Sequence, residues 1–498
     1  MKRAIFLHEI KAWAKSPLLY LLCGSFFLFS LMSLLGTGGF FDGPSQATEP
    51  VSLLNSPYSL VSFSFLLTKF MLFAVATFAG FSLYRDYQDQ THHLLYSFPI
   101  SRTDYLVAKL SSAGLLLLCL GIITLSGIGL AEIILGVENP YIGPDSILGY
   151  VLTFLVYLMP TLITVGVLVF VVVGFSRNIY SGFILVLCVV LFQLILENLL
   201  FNQRAWLAWL DPLGQHAFWF ATQDWDFAAR NAAVLPLDPW VVGNRLLWGL
   251  IAGLAYWRFA TRFDFQYDSI WQRGRIFLGQ PASPEPAKRE TDLDSPIQYG
   301  YSIAARVRSL LPMMRYAVKR ILGNWTFLLL GGVGGLAVFF ILLRVTNTGE
   351  FNLLPFTRLL LGPPLSVYVL VVIFGTFLFS GFLMHRARRH KMSLIVDATA
   401  VENWQLMLAN LGAIALVQVI QLLLFMLIGI TIQMINGWHH FEWSTYAFHL
   451  FILVFPTLLV WNVTSHLVHA LVPNIFLGLF LLAGIWLGDV SATLVGNM

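Results

Sequence analysis

The sequence predicts an all-α membrane protein in which many helices cross the bilayer. Of its 498 residues, 58% are hydrophobic and 11% are charged, whereas a soluble domain has about 25% charged residues. The hydrophobic residues stand in long continuous runs, and a helix needs about 20 of them to cross the hydrocarbon core. The strands of a transmembrane barrel would instead alternate apolar and polar residues. The composition therefore excludes a protein of this length that is dissolved in water.

Eleven runs are apolar enough to be candidate spans, although the last two reach the necessary length only with their flanks. The runs are residues 17–35, 58–84, 105–135, 147–173, 179–200, 241–257, 325–343, 359–384, 404–435, 446–461 and 475–487. The three cysteines, Cys23, Cys119 and Cys188, lie inside these runs without metal-ligand spacing. They are therefore predicted to be core residues.

Positive charge is distributed unevenly along the chain. With the N-terminus placed inside, 23 of the 29 lysines and arginines fall in segments that would face the cytoplasm. Residues 36–57 and 136–146, which would face outward, contain none. Membrane proteins keep an excess of basic residues on the cytoplasmic side, so this distribution predicts a cytoplasmic N-terminus. It also accounts for the net charge of +4 without nucleic acid as a partner.

The chain is predicted to contain two tandem repeats. Residues 1–262 form the first, 263–305 a cytoplasmic linker and 306–498 the second. Each repeat opens with a basic amphipathic stretch that is expected to lie in the headgroup plane. Each also carries a Ser/Thr-x-x-Asp/Glu capping box before a long run, Ser101 to Asp104 and Thr399 to Glu402. The first repeat has six spans and the second five. Twelve helices are therefore expected, the last being truncated or supplied by another chain.

Three stretches are specific enough to suggest a family. They are Arg85-Asp86 with Pro99-Ile100 and Asp104-Tyr105, the loop Asp211-Pro212-Leu213-Gly214 that continues through Trp225 to Asn244-Arg245, and Asp397-Ala398-Thr399 with Asn403-Trp404. In these stretches, and over nearly all of its length, the chain resembles the ABC-2 type exporter permeases. It is most similar to the permease portion of proteins in which such a permease is fused to a zinc aminopeptidase.

The resemblance implies a transmembrane permease subunit of an ATP-driven ABC exporter in the cytoplasmic (inner) membrane of a bacterium. Two copies of a separate ATP-binding subunit would dock on the cytoplasmic side, and ATP and Mg would be bound there rather than by this chain. Peptides or amphiphiles are the implied substrates. A zinc aminopeptidase domain or chain is an implied partner besides the lipid bilayer.

No catalytic motif in the sequence supports an enzyme. A His-Glu-x-x-His motif would bind zinc, but His8-Glu9 is followed by Ile10-Lys11-Ala12. A Gly-x-x-x-x-Gly-Lys-Ser/Thr loop for phosphate is absent as well. The pairs His92-His93 and His439-His440 lack a third ligand at helical spacing. The sequence thus predicts a transport component without a cofactor or metal of its own.

Three sets of residues are predicted to carry the function. The set for docking the ATP-binding subunits comprises Arg85, Asp86, Pro99, Ile100, Arg102, Asp104, Tyr105, Arg386, Arg389, Asp397, Thr399, Asn403 and Trp404. Lys69 is a cation well inside a span, where a charge is costly and usually functional. It is predicted either to line a lateral cavity or to extend to the outer interface, and Glu197 is predicted to be interfacial. The outer-leaflet loop, which contains Asp211, Pro212, Gly214, Trp225, Asn244 and Arg245, is predicted to gate an exit or to form an aromatic belt.

Two other function classes stay open. An ion-coupled secondary transporter would have charged sites near the bilayer midplane, and Lys69 offers one. A membrane scaffold that anchors an aminopeptidase would need the spans alone. Transport that continues without ATP but stops when the ion gradient collapses would favour the transporter. Transport that is unchanged by substitutions of Pro99, Arg102 or Asp104 would favour the scaffold.

Overall fold

The chain folds into α-helices, as the sequence predicts, and the described residues contain no β-strand. The computed structural model describes residues 2–40, 52–88, 91–92, 98–136, 138–144, 146–199, 207–232, 237–263, 265, 303–346, 354–389, 392, 394, 398–399, 401–472 and 475–496. Contacts divide the chain into two compact units, residues 1–282 and 283–497.

The first unit is built around one central helix. Its helices are α1 (Lys2–Ala14), α2 (Pro17–Thr37), α3 (Pro57–Gln88), α4 (Arg102–Leu135), α5 (Ile147–Ser176), α6 (Ile179–Leu199), α7 (Leu207–Leu210), α8 (Gln215–Ala221), α9 (Phe227–Ala232) and α10 (Pro239–Arg262). Helix α3 packs against α4, α5 and α6 and buries most of its apolar length. Its apolar residues are spread around the whole helix, as expected for a helix surrounded by other helices.

The second unit places α14 among four other helices. Its helices are α11 (Ile303–Leu322), α12 (Trp325–Thr346), α13 (Thr357–Leu360), α14 (Pro363–Met384), α15 (Arg386–Arg389), α16 (Asn403–Ile435), α17 (Trp443–Leu471) and α18 (Ile475–Gly496). Helix α14 packs on α12, α16, α17 and α18, while α11 lies along α16.

Nine helices of the described residues are long and apolar enough to cross a membrane, which agrees with the predicted fold class. They are α2 to α6 in the first unit and α12, α14, α16 and α17 in the second. The two remaining predicted spans also fold as helices. However, α10 carries Asn244, Arg245 and Arg258, which lower its hydropathy, and the apolar part described for α18 covers only Leu477–Trp486. The sequence predicts eleven spans and the described residues contain nine. The two that differ are α10 and α18.

Helices α5 and α17 are both interrupted by a π-helical segment. The segments are Thr153–Leu158 in α5 and Phe448–Val454 in α17, and each ends two positions before a proline, Pro160 or Pro456. Proline has no N–H to donate to the preceding turn, and a π turn is one way in which a helix accommodates such a break. Pro456 stands 296 positions after Pro160. The two units therefore share a broken span.

The two long helices α4 and α16 begin at well-defined caps. Ser101 Oγ accepts the Asp104 N–H at 3.1 Å, so the predicted start of α4 is confirmed. The predicted box from Thr399 to Glu402 is wrong. Glu402 is itself the N-cap of α16, and the Gln405 side chain accepts the Glu402 N–H at 2.9 Å. Thr399 and Glu402 fit the sequence pattern of a box. The pair that starts the helix, Glu402 and Gln405, begins with a glutamate and does not fit that pattern.

Candidate functional site

Charged side chains from three helices form a buried cluster in the first unit. Lys109 Nζ on α4 lies 2.7 Å from Glu9 Oε1 on α1 and 2.8 Å from Asp86 Oδ2 on α3. The Tyr105 hydroxyl donates to the same Asp86 oxygen at 2.6 Å. All four side chains are buried. We call Glu9, Arg85, Asp86, Tyr105 and Lys109 the ion cluster.

Arg85 completes the ion cluster and balances its charge. Its guanidinium lies 3.8 Å from Glu9 Oε2 and packs over the Trp13 and Phe81 rings, 5.1 and 4.9 Å from their centroids. Two carboxylates therefore face two cations. A buried charge is tolerated when it is paired, and removal of one partner of a buried pair costs about 3–5 kcal/mol. The ion cluster thus resists separation of α1, α3 and α4.

Helix α1 reaches the ion cluster because Glu9 and Trp13 lie one turn apart on the same face. Both are buried, whereas Lys11 is exposed. The Trp13 ring meets Phe78 and Phe81 edge-on, at centroid distances of 5.1 and 5.8 Å. The N-terminal stretch is expected to lie in the headgroup plane, and the structure shows that the part of its apolar face around Trp13 packs on protein.

Other contacts attach further elements beside the ion cluster. Lys2 Nζ lies 3.0 Å from Asp104 Oδ1, which ties the start of α1 to the start of α4. Arg102 donates to the Phe263 carbonyl at 3.2 Å, and the Tyr105 ring stacks on the Phe263 ring at 6.0 Å. The residue that follows α10 is thus held against the first turn of α4.

In the second unit the amphipathic helix α11 is held at the start of α16, and fewer charged side chains take part. Gln405 Nε2 on α16 donates to the Arg306 carbonyl and to Ser309 Oγ on α11, both at 3.1 Å. Arg306 also forms an ion pair with Glu402, and both side chains are partly exposed. In each unit an amphipathic helix is therefore fixed to the first turns of the longest helix.

The predicted docking residues of the first unit divide into a surface set and an interior set. Pro99 and Arg102 are exposed, and Ile100 and Asp104 are partly exposed. Asp86 and Tyr105 are buried in the ion cluster, and most of the Arg85 side chain is covered as well. Asp86 and Tyr105 therefore do not offer a contact surface, and a docking role for them has to be indirect.

In the second unit the predicted docking residues are only partly described. Thr399, Asn403 and Trp404 are exposed. Arg386 lies over the Tyr316 ring at 5.0 Å, which connects it to α11. The side chain of Arg389 and the whole of Asp397 lie outside the described residues.

Sequence reasoning missed Glu9 and Lys109, which are the centre of the ion cluster. Each had a local signal. Glu9 shares a helix face with Trp13, an unusual place for an acid in a basic stretch, and Lys109 follows Tyr105 by one turn at the start of an apolar run. Neither signal identifies the partner, because the two residues are 100 positions apart.

Lys69 belongs to a second ion pair, inside the span. Its Nζ lies 2.6 Å from Glu197 Oε1 on α6, and each side chain is about one fifth exposed, 21% and 19%. Lys69 on α3 is thus neutralised by a neighbouring helix. The prediction that Glu197 is merely interfacial missed this pairing.

Asp211 organises the loop that precedes α10. Its carboxylate accepts the backbone N–H groups of Leu213 and His216, both at 2.8 Å, and lies 2.9 Å from His216 Nδ1. Burial alone would raise the pKa of this carboxyl, but the hydrogen bonds from His216 and Leu213 hold the pKa below its ordinary value. Pro212 beside it is buried, whereas Trp225 is half-buried.

Two neighbouring residues of α10 connect this loop to the broken span. Asn244 Nδ2 donates to the carbonyls of Ala208 and Asp211, both at 2.8 Å. Arg245 donates to Thr161 Oγ1 at 3.0 Å and to the Tyr157 carbonyl at 3.2 Å, at the end of the π-helical segment. Asp211, Asn244 and Arg245 of the predicted outer-leaflet set therefore belong to one network, which reaches α5 through Arg245.

Gly214 is required where the loop passes Arg245. Its φ is +73°, a conformation that favours glycine, and an added Cβ would lie 2.7 Å from Arg245 Cζ. Phe218 follows on α8 and packs between the rings of Phe65 and Tyr157. The loop is thus a packed part of the first unit.

Within the described part of the chain, no group of three or more His, Cys, Asp or Glu side chains is placed to hold a metal ion. Residues 5–197 match the family model described as ABC-2 family transporter protein. This segment contains the whole ion cluster and both residues of the Lys69–Glu197 pair. No curated protein matches the chain. The match covers less than half of the chain, and it shows that residues 5–197 are similar to an ABC-2 family transporter protein.

Proposed function

We propose that the chain is the permease subunit of an ATP-driven exporter, and that separate ATP-binding subunits hydrolyse the ATP. The ion cluster is the observation that carries this proposal, together with the family match over residues 5–197. It joins α1, α3 and α4 at the end of the unit that the distribution of Lys and Arg predicts to be cytoplasmic. The inner-membrane location and the cytoplasmic N-terminus are parts of the proposal.

The exposed segment next to the ion cluster is the proposed contact for the motor. Residues 98–101 precede α4, residues 102–103 begin it, and most of the six are exposed. The Ser101 cap fixes this segment to the helix end. Helix α4 has 34 residues, about 50 Å at 1.5 Å per residue. A displacement of residues 98–103 would therefore be transmitted along α4 to the opposite side of the bilayer.

Because of the ion cluster, α1, α3 and α4 would be displaced together. Because Lys109 contacts both Glu9 and Asp86, movement of α4 alone would break two buried ion pairs. Each lost pair would leave a buried charge without its partner, at about 3–5 kcal/mol. Movement of α1, α3 and α4 as one body leaves the pairs intact. In the second unit the corresponding contact is the start of α16, where Gln405 holds α11.

Amphiphiles are the proposed substrates, and an apolar cleft supports this proposal. The cleft lies between α4 and α5, has a volume of about 520 Å³, and is lined by Ile122, Leu125, Ser126, Gly129, Tyr150, Val151, Phe154 and Leu155. The cleft is open along the surface between the two helices, so it suits the apolar chain of an amphiphile rather than an enclosed ligand. Phe154 and Leu155 belong to the π-helical segment. An associated zinc aminopeptidase is a further proposal that rests on the sequence resemblance alone.

Co-purification from native membranes tests the proposed function. The full chain should retain a protein with a phosphate-binding loop, and the purified complex should hydrolyse ATP. Arg102→Glu, in the exposed segment, should reduce this retention. Arg358→Glu, an exposed arginine at the start of α13, should not. If wild-type protein retains no ATP-binding subunit and its deletion leaves membrane ATP turnover unchanged, the proposal fails.

A secondary transporter is the second candidate, and the Lys69–Glu197 ion pair favours it. Charged residues inside spans are commonly part of ion or proton pathways. Transport by reconstituted protein that follows an ion gradient in the absence of ATP would support this candidate. Transport that requires ATP and persists without a gradient would exclude it.

A further inference from the structure

The second unit contains a row of buried polar side chains inside its spans. The row comprises Thr376 and Ser380 on α14, Gln418 on α16, and Asn462, Ser465, His466 and His469 on α17. Gln418 and His466 are 0% exposed, Asn462 is 1% and His469 is 2% exposed. We call these seven residues the polar row.

Four members of the polar row have an atom without a hydrogen-bond partner within the described part of the chain. Gln418 Nε2 donates to Thr376 Oγ1 at 2.9 Å and Asn462 Nδ2 donates to the Leu411 carbonyl at 2.9 Å, but their side-chain oxygens are unpartnered. His466 and His469 each place one ring nitrogen near a backbone carbonyl, and the other nitrogen is unpartnered. Native interiors satisfy such groups with protein atoms or with ordered water.

The equivalent span of the first unit shows that helix packing does not require these polar groups. Pro160 and Pro456 place the two spans 296 residues apart. At this offset Asn462, Ser465, His466 and His469 correspond to buried apolar positions, Gly166, Val169, Phe170 and Val173. All four positions are apolar in the first unit and polar in the second. Hydrogen bonds between spans can hold helices together, but that role leaves no reason for unpartnered atoms.

The polar row extends from the middle of α16 to one end of the unit. Asn462 and His469 are seven residues apart on α17, about 10 Å along the helix. The His469 ring contacts Gly381 on α14 and Gly478 on α18, where any side chain would overlap it. His385, the residue that follows α14, has its ring 5.7 Å from the His469 ring. The row therefore ends near the segment that joins α14 to α16.

We propose that α14, α16 and α17 enclose a file of water molecules along the polar row, supplied from the end at which His385 lies. Water is the ligand that fits best, because it can donate to the Gln418 and Asn462 oxygens and can donate to or accept from the histidine nitrogens. His466 and His469 would exchange protons with this water, as histidines do in proton relays within spans. The inference concerns hydration of the second unit and does not depend on ATP-driven export.

Chemical accessibility of introduced cysteines tests the water file. The full chain, with Cys23, Cys119 and Cys188 changed to alanine, is placed in lipid nanodiscs and treated with a charged, water-soluble methanethiosulfonate. Ser465→Cys and Asn462→Cys should react about tenfold or more faster than Leu342→Cys, since only a hydrated thiol forms the reactive thiolate. Leu342 on α12 is the matched control, because it is 0% exposed in the same unit and does not belong to the polar row. Equal rates at all three positions in folded protein would overturn the inference.

Exchange of the histidine ring hydrogen in D₂O tests the same inference without substitution, in case a cysteine variant does not fold. Mass spectrometry measures the exchange of the carbon-bound hydrogen between the two ring nitrogens. His466 and His469 should exchange within about tenfold of the exposed His440, since water reaches their rings. Exchange that occurs only after unfolding would overturn the inference.

Discussion

Lys109 and Glu9 are 100 positions apart in the sequence, and their charged atoms lie 2.7 Å apart in the structure. This contact fixes the N-terminal helix to α4 in the interior of the first unit. Asp86 and Arg85 at the end of α3 complete a charge-balanced group. The first unit thus joins three helices at the place where the sequence predicts a cytoplasmic surface.

Lys109→Met should destabilise the protein by about 3–5 kcal/mol, because Glu9 and Asp86 would keep their buried charge without their shared partner. Thermal unfolding of the purified protein in detergent measures the effect. Lys11→Met is the matched control, since Lys11 is exposed on α1, and it should change stability by less than about 0.5 kcal/mol.

The coupling between the two charges can be isolated with a double-mutant cycle. Glu9→Gln with Lys109→Met should cost less than the sum of the single substitutions, by about 1–3 kcal/mol. Strictly additive losses would show that Glu9 and Lys109 do not interact.

Breaking the ion pair in the span should also destabilise the first unit. Glu197→Gln leaves Lys69 charged within the bilayer, where a lone cation costs about 2.5–3.5 kcal/mol at the centre. Lys69→Met together with Glu197→Gln removes both charges and should recover most of the lost stability in the same unfolding assay. If the double variant is no more stable than Glu197→Gln, the 2.6 Å contact is not a stabilising pair.

Asp211 should make stability depend on acid pH. Its pKa is lower in the folded protein than its ordinary value near 3.9. The stabilisation is therefore present above the ordinary pKa and is lost as the pH falls through the folded pKa. Compared with Asp211→Asn, wild-type protein should be more stable at neutral pH, and the difference should shrink below about pH 4. A difference that stays constant to low pH would contradict the network around Asp211.

Gly214→Ala should cost more than the same change at another glycine with the same φ. Gly437 also has φ +73°, but no atom lies within 4 Å of an added Cβ, whereas Arg245 is 2.7 Å from the Cβ at Gly214. Gly437→Ala should therefore show only the backbone strain, about 1–2 kcal/mol. Gly214→Ala should lose more in the unfolding assay, because Arg245 would be pushed away from Tyr157. Equal losses would show that the Arg245 contact is unimportant.

The all-α membrane fold could be predicted because each span is a continuous apolar run, a property of the local sequence. The cap at Ser101 is equally local and is confirmed. The cap of α16 lies three residues later than the sequence pattern predicts, because Glu402 rather than Thr399 is the N-cap and Gln405 completes the cap.

The ion cluster and the polar row could not be predicted, since their contacts join distant positions. In the sequence Lys109 resembles the other basic residues near the cytoplasmic side, and only the structure shows Glu9 beside it. Asn462 and His466 read as interruptions of an apolar run, and their meaning depends on α14 and α16 packing against them. The π turns before Pro160 and Pro456 also left no distinct pattern, although the prolines mark where the helices break.

Photo-crosslinking shows whether the exposed segment at residues 98–103 contacts an ATP-binding subunit. A benzophenone amino acid in place of Thr103, which is exposed beside the Ser101 cap, is irradiated in native membranes and its adducts are identified by mass spectrometry. We expect an adduct with a P-loop ATPase at position 103. We expect no such adduct when the probe replaces Thr37, the last residue of α2, on the side that is predicted to face outward. Adducts at position 103 that contain lipid or other proteins but no ATP-binding subunit would contradict the claim that this segment receives the motor.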